Sequence, residues 1–264
     1  MLPRMTDPFS TSPSPGFLYQ TQGIKAALHK TRYCIDRRQG LTAILGDVGM
    51  GKSSLLRLLY GDYAAKDEFS VSFIPNPSLT SEFAFLKEVT GDLGIPPKAS
   101  YQKQEQELRA FLVERFSEGR NVVVFIDEAQ RLNAKMLEVV RSLLNFETNT
   151  AKLIQIVLSG QIELKERLLS PAQKAIRSRI FAPSVLSPLT LSETKAMLTF
   201  RCQQTDIELP FSDDAIQAIY DTTGGVPREI LKVAAIAYEL ARVNGMTDVP
   251  PEIMEMATRE AVLS

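Results

Sequence analysis

The sequence predicts an α/β fold, a parallel sheet sandwiched by helices, followed by a small all-α domain. Three observations carry this. Strand-like and helix-like patterns alternate up to about residue 190, as in a doubly wound sheet. The runs at 41–45, 121–126 and 153–158 are mainly apolar, as in strands covered on both faces. From Ser192 onward the periodicity is helical only.

Taken in order, residues 23–38 form an amphipathic helix and 41–45 a buried strand. A glycine-rich turn follows, and a helix leaves it from Ser53 through Leu59. Residues 71–74 are a strand closed by Pro75-Asn76-Pro77. A helix over 81–93 is ended by Gly94 and Pro96, and another spans 105–117 with Leu108, Phe111, Leu112 and Phe116 on one face. The strand 121–126 runs into Asp127-Glu128, with a helix over 134–147 behind it. The strand 153–158 ends in Ser159-Gly160-Gln161, followed by helical 163–170 and 171–179 and an edge strand near 180–185. The remaining helices fall at 192–204, 212–222, 226–244 and 250–262, with Ser192 and Ser212 as N-caps and Pro250-Pro251 as a helix start. The expected organisation is an extended N-terminal segment (1–20), an α/β nucleotide-binding domain (21–188) and a helical lid (189–264). The first 16 residues, rich in Pro, Ser and Thr, read as disordered or extended.

Composition narrows the class. With 264 residues, 44% hydrophobic and 23% charged, the chain can bury a full core and reads as soluble and globular. No run approaches the roughly 18 apolar residues of a membrane span. The N-terminus lacks a hydrophobic signal core, so the cytoplasm is the expected compartment. Cys34 and Cys202 lie far apart with no metal-type spacing and read as buried small hydrophobes, and His29 as a surface helix residue, so zinc is not expected. The net charge of −1 hides an asymmetry: residues 1–190 carry 24 Lys+Arg against 19 Asp+Glu, and residues 191–264 carry 6 against 12. Such a division suits a polyanion surface on the first domain, or subunits stacked basic face on acidic face.

The glycine-rich turn is Gly46-Asp47-Val48-Gly49-Met50-Gly51-Lys52-Ser53, a complete G-x-x-x-x-G-K-[ST] loop between a strand and a helix. In that setting backbone N–H groups and the positive helix N-terminus, with Ser54 in its first turn, cradle phosphates. Lys52 would reach the β- and γ-phosphates, and the Ser53 hydroxyl would ligate Mg²⁺. Asp127, at the end of a buried strand, is placed to hold Mg²⁺ through water, and Glu128 to act as general base on the attacking water. ATP and Mg²⁺ are the expected ligands. A P-loop NTPase sheet followed by a small helical bundle is the architecture of an AAA+ module.

Several segments resemble the ExeA-like branch of AAA+ ATPases, which also includes relatives of the transposition regulators TniB and TnsC. They are Asp7-Pro8-Phe9, Pro15-Gly16-Phe17-Leu18-Tyr19, the phosphate loop, Asn76-Pro77, Ile126-Asp127-Glu128-Ala129-Gln130, Leu158-Ser159-Gly160-Gln161 and Gly224-Gly225-Val226-Pro227-Arg228. The resemblance implies that Ser159 or Gln161 is the polar sensor after the fourth core strand. It also implies that Arg228 is a second sensor touching the γ-phosphate, coupling lid angle to nucleotide state. Arg177 and Arg179 sit where the family places an arginine finger that completes a neighbouring subunit's site, with Arg179 favoured. Such a finger requires a homo-oligomer, a hexameric ring or helical filament.

Two functions fit the resemblance. One is a DNA-binding transposition regulator that recruits or activates a transposase or target-selection protein. Its duplex contacts would come from Lys98, Lys103, Arg131 and Lys135, with Tyr101 packing on a sugar or base, and would be nonspecific and salt-dependent. The alternative is an ATPase of a secretion or envelope-assembly pathway without its own membrane anchor. A chain ending at Ser264, directly after the lid, leads the sequence reading to prefer the first.

Overall fold

The computed structural model describes residues 7–263. Contacts divide the described residues into two compact units: Gln22–Val48 with Lys52–Leu186, and 7–21 with Gly49–Gly51 and 187–263.

The first unit is built on five parallel strands, β1 (Leu41–Leu45), β2 (Phe69–Ile74), β3 (Asn121–Ile126), β4 (Ile154–Gly160) and β5 (Ser184–Val185), in the order β2-β3-β4-β1-β5. Every residue of β1, β3 and β4 is buried, which is why their sequences are continuous rather than alternating. The helices are α1 (Gln22–Asp36), α2 (Lys52–Ala64), α3 (Glu82–Asp92), α4 (Tyr101–Ser117), α5 (Ala134–Leu143), α6 (Ile162–Leu169) and the single turn α7 (Lys174–Arg177). On one face Val122, Val124, Ile126, Ile156 and Leu158 pack with Phe85, Leu108, Leu137 and Leu164. The entering end of the sheet is pinned by polar side chains that satisfy buried backbone groups. Gln155 Oε1 accepts from Gly40 N at 2.7 Å, and Asn121 Nδ2 donates to Ile35 O at 2.9 Å. Each such bond is worth about 1 kcal/mol net, and an orphaned partner costs more.

Boundaries differ from the sequence reading where local chemistry intervenes. α4 begins at Tyr101 rather than 105, because Ser100 caps it through Lys103 N and buried Gln104 accepts from Lys98 N at 2.6 Å. α5 stops at Leu143 rather than 147, since Glu147 pairs with Lys152 in an antiparallel bridge. The edge strand shrinks to two residues, with Ile180 making an isolated bridge to Leu41.

The second unit holds α8 (Leu191–Gln203), α9 (Asp213–Thr223), α10 (Pro227–Val243) and α11 (Pro251–Leu263). Ser212 caps α9 as expected. For α8 the cap is Thr190, not Ser192: Glu193 lies three residues after Thr190 and returns the bond, completing a capping box. Between α9 and α10, Gly225 sits at φ +79° with Leu189 O only 2.1 Å from where a Cβ would stand, so no larger residue fits.

The N-terminal stretch completes this unit: residues 7–16, expected to be disordered or extended, hold no α-helix or strand but belong to its packed core through Phe9. Phe9 is fully buried among Leu198, Ile219 and Ala234, edge-on to Phe211 and Tyr238 at 5.4 Å each. Buried Arg201 donates from Nε to Pro8 O at 2.6 Å and from Nη2 to Ser10 O at 2.7 Å, with its guanidinium 5.0 Å from the Phe17 ring centroid. Burial pulls its pKa down to about 10 while Asp7 opposes that shift, so it remains charged at neutral pH. A charge is tolerated here because backbone carbonyls replace its hydration. Cys34 and Cys202 are buried and unpaired to each other, and His29 lies exposed on α1, as expected.

Candidate functional site

The strand-to-helix turn after β1 has the conformation its glycines require. Gly49 and Gly51 adopt φ +81° and +83°, a region costly to side chains bearing a Cβ. A Cβ on Gly46 would press on Leu186 O and Cβ at 3.2 Å, and one on Gly49 would meet Arg228 Cβ at 2.9 Å. α2 opens at Lys52, so its unsatisfied N–H groups and positive dipole end face the loop, with Ser53 and Ser54 half-buried in the first turn. Lys52 is 6% exposed, and its Nζ donates to Gly46 O at 3.0 Å and Asp47 O at 2.7 Å. The ammonium is therefore held at the loop itself. Asp47 Oδ1 accepts from Val48 N, fixing the loop's outer turn at 2.7 Å.

Strand register brings the acid pair to this turn. Leu45 is level with Gly160, and Ile126 with Leu158, so Gly46, Asp127 and Gln161 all leave the carboxyl end of the sheet. Asp127 is 5% exposed; its N–H donates to Ile74 O at 2.9 Å. One carboxylate oxygen, Oδ1, accepts from the buried Ser159 hydroxyl at 2.8 Å and from Glu128 N at 3.0 Å. The carboxylate is thereby locked in one orientation. Glu128 has φ +50° and ψ +35°, left-handed backbone in a residue that is not glycine, a conformation costing about 1–3 kcal/mol. Its Oε2 accepts from Gln130 Nε2 at 2.6 Å and from Gln161 Nε2 at 3.4 Å, and Gln130 Oε1 accepts from Gln161 N at 3.1 Å. The two sensor alternatives thus attach to different acids, Ser159 to Asp127 and Gln161 to Glu128. Sequence reasoning missed Gln130, because no spacing rule ties it to Glu128.

The donor set suits Mg²⁺. A serine hydroxyl and one carboxylate are hard oxygen ligands, too few for a metal held by protein alone but enough for one that also takes phosphate oxygens and water. Among the described residues no group of three or more His, Cys, Asp or Glu is placed to hold a metal ion.

The candidate arginines lie in different settings. Arg228 is exposed at the start of α10, and its N–H donates to Gly49 O at 3.2 Å. Arg177 and Arg179 sit beside the opposite end of β1 from the loop. Ile180 bridges Leu41, and Phe181 N donates to Leu41 O at 2.7 Å, whereas the phosphate loop leaves from Leu45. At about 3.3 Å per strand residue, that separation is some 13–16 Å. Arg177 Nη1 donates to Leu169 O at 2.5 Å, and Arg179 Nη1 to Arg141 O at 2.6 Å.

The four basic residues expected to meet nucleic acid lie in different settings. Lys98 pairs with Glu107 at 3.0 Å, Arg131 donates to Ser78 Oγ at 3.0 Å, and Lys103 is exposed on α4. Lys135 shares a groove of about 760 Å³ with Tyr101 and Phe83, but Glu82 and Glu138 line it too.

Comparison with known proteins extends this picture. Residues 35–168 match the family described as AAA domain. General secretion pathway protein A of Aeromonas hydrophila is 34% identical over 226 residues, covering 84% of this chain. The chain spans only 41% of that relative's length. Among solved structures, the Aeropyrum pernix ORC2 protein in its ADPNP-ADP complexes superposes with a TM-score of 0.70 at 18% identity, over 96% of this chain and 71% of that one. The Thermotoga maritima RuvB Holliday junction branch migration motor gives 0.60 at 18%, over 95% and 72%. At these identities the likeness is one of fold.

Proposed function

Because this chain belongs to the AAA domain family, we propose that it is an ATP-hydrolysing motor of the ExeA-like branch, serving a secretion or envelope-assembly pathway from the cytoplasmic side. The observation that carries hydrolysis is that the loop holding Lys52 and the acids Asp127 and Glu128 leave the same carboxyl end of the sheet, with Ser159 and Gln161 bonded to the two acids. The name of the 34% identical relative favours secretion over a transposition regulator.

In this reading the loop N–H groups and Lys52 bind the triphosphate. Ser53 and, through water, Asp127 would hold Mg²⁺, which when bound neutralises charge on the β- and γ-oxygens. Ser159 keeps the Asp127 carboxylate turned to that task. Glu128 accepts a proton from water as the water oxygen bonds to the γ-phosphorus. The bond from that phosphorus to the β,γ-bridging oxygen breaks, releasing phosphate and ADP. Arg228 acts as the second sensor of the γ-phosphate. Arg179, or failing it Arg177, acts on a neighbouring copy, which makes the active species an oligomer. Either guanidinium must exchange its present carbonyl partner to do so.

The test is phosphate release with Mg²⁺ and ATP, with and without duplex DNA, alongside binding to labelled duplex over a salt series. Turnover that is lost in Lys52→Ala and indifferent to DNA is expected. Tight, salt-sensitive duplex binding only with the triphosphate would restore the transposition reading and overturn this one.

A further inference from the structure

We infer that Gln130 is a positioning residue for hydrolysis: its side-chain amide ties the Glu128 carboxylate to the end of β4 and so sets where the general base stands. The inference rests on the role proposed for Glu128.

Both ends of the amide are engaged. Nε2 donates to Glu128 Oε2 at 2.6 Å, and Oε1 accepts from the backbone N–H of Gln161 at 3.1 Å. The backbone donor fixes which end of the amide is oxygen, since a flipped amide would set N–H against N–H. The nitrogen is thus presented to the carboxylate by the fold rather than by chance. Space is arranged to match: a Cβ on Gly160 would come within 3.3 Å of Gln130 Oε1 and 2.5 Å of Leu164 Cδ2, so the strand end is bare where the amide passes.

Glu128 needs such a tether. Its left-handed backbone aims the side chain along a path that the following turn, Ala129–Arg131, does not by itself hold. A strained backbone persists only where its surroundings over-determine it. The Gln161 side chain adds a longer contact of 3.4 Å to the same oxygen, so the Gln130 amide is the shorter of the two restraints. Gln161 N–H belongs to the residue directly after β4, the strand that also carries Ser159 against Asp127. A shift at the end of β4 therefore reaches both acids, Asp127 through Ser159 and Glu128 through Gln130.

The role makes a kinetic claim. Loss of the tether leaves nucleotide binding alone and misplaces the base, and misplacement by about 1 Å costs up to about 100-fold. Gln130→Leu removes both bonds, and Gln130→Glu keeps the shape while turning a second carboxylate on the first. In either variant kcat is expected to fall about 10- to 100-fold with KM for ATP within about twofold. In a Glu128→Gln background the same changes should add no further loss, because Gln130 acts only through Glu128. Unchanged kcat in both Gln130 variants while Glu128→Gln is inactive would overturn this assignment alone. An equal fold-loss in both backgrounds, as a merely structural residue gives, would overturn it too. Wild-type turnover in Glu128→Gln would instead remove the general-base reading, and this inference with it.

Discussion

Cys34 shows how far a single residue could be read. Its isolation in sequence implied a buried thiol, and burial pushes that thiol up to about 12, while Cys202 stands at about 11. Both are therefore protonated at pH 8 and shielded from solvent. Ellman's reagent should find no thiol in the native protein at that pH and two after denaturation; rapid native labelling would contradict the burial. The sign for stability follows. A thiol raised above its ordinary value of 9.0 contributes fully below that pH, and the contribution drains away as pH climbs toward 12. The phosphate loop was equally legible, because its glycines, lysine and serine are consecutive and each answers a local demand of conformation or charge. The Glu128–Gln130–Gln161 chain was not. It depends on a non-glycine residue adopting φ +50° and on where a parallel strand ends, neither of which a short-range pattern encodes.

Elements were legible in proportion to how locally they are determined. β1 and β3 fall where mainly apolar runs placed them, since burial on both faces leaves no other pattern. Helix ends depended on recognising the capping residue. Ser212 was found, whereas α8 was assigned to Ser192 although the reciprocal Glu193 belongs to Thr190. This distinction can be measured. Thr190→Ala should lower stability by about 1 kcal/mol in thermal or denaturant unfolding, and Ser192→Ala by less than about 0.5 kcal/mol. A reversed order would reassign the cap. The ends of α5 and β5 were misjudged because the Glu147–Lys152 bridge and the short pairing with β1 are tertiary events.

For the whole molecule, the two-part plan followed from helical periodicity beginning at Ser192, with the boundary placed between 188 and 189; the contact division falls at Leu186 and Ser187 and also gives Gly49–Gly51 to the helical unit. What the sequence could not assign was the N-terminal stretch, whose Phe9 looks like any exposed loop residue until its core is seen. Assembly belongs to this scale. In the proposed function Arg179 acts on a neighbouring copy. Arg179→Ala should keep its affinity for ATP in calorimetry yet lose about 10³-fold in turnover. Its sedimentation and melting temperature should match the unaltered protein. Full turnover in that variant would pass the finger to Arg177. No helix of the described residues is long and apolar enough to cross a membrane.

The helical unit is discontinuous along the chain, and that has a consequence for biosynthesis. Its buried Phe9, and the carbonyls of Pro8 and Ser10 that occupy Arg201, are made first, while the core they complete is made after residue 186. On the ribosome the sheet unit can close as soon as Leu186 has emerged, since all of its strands are then present. The early segment has no docking place until α8 to α10 exist. Synthesis thus imposes an order in which the early segment waits, making the helical unit the later of the two to mature.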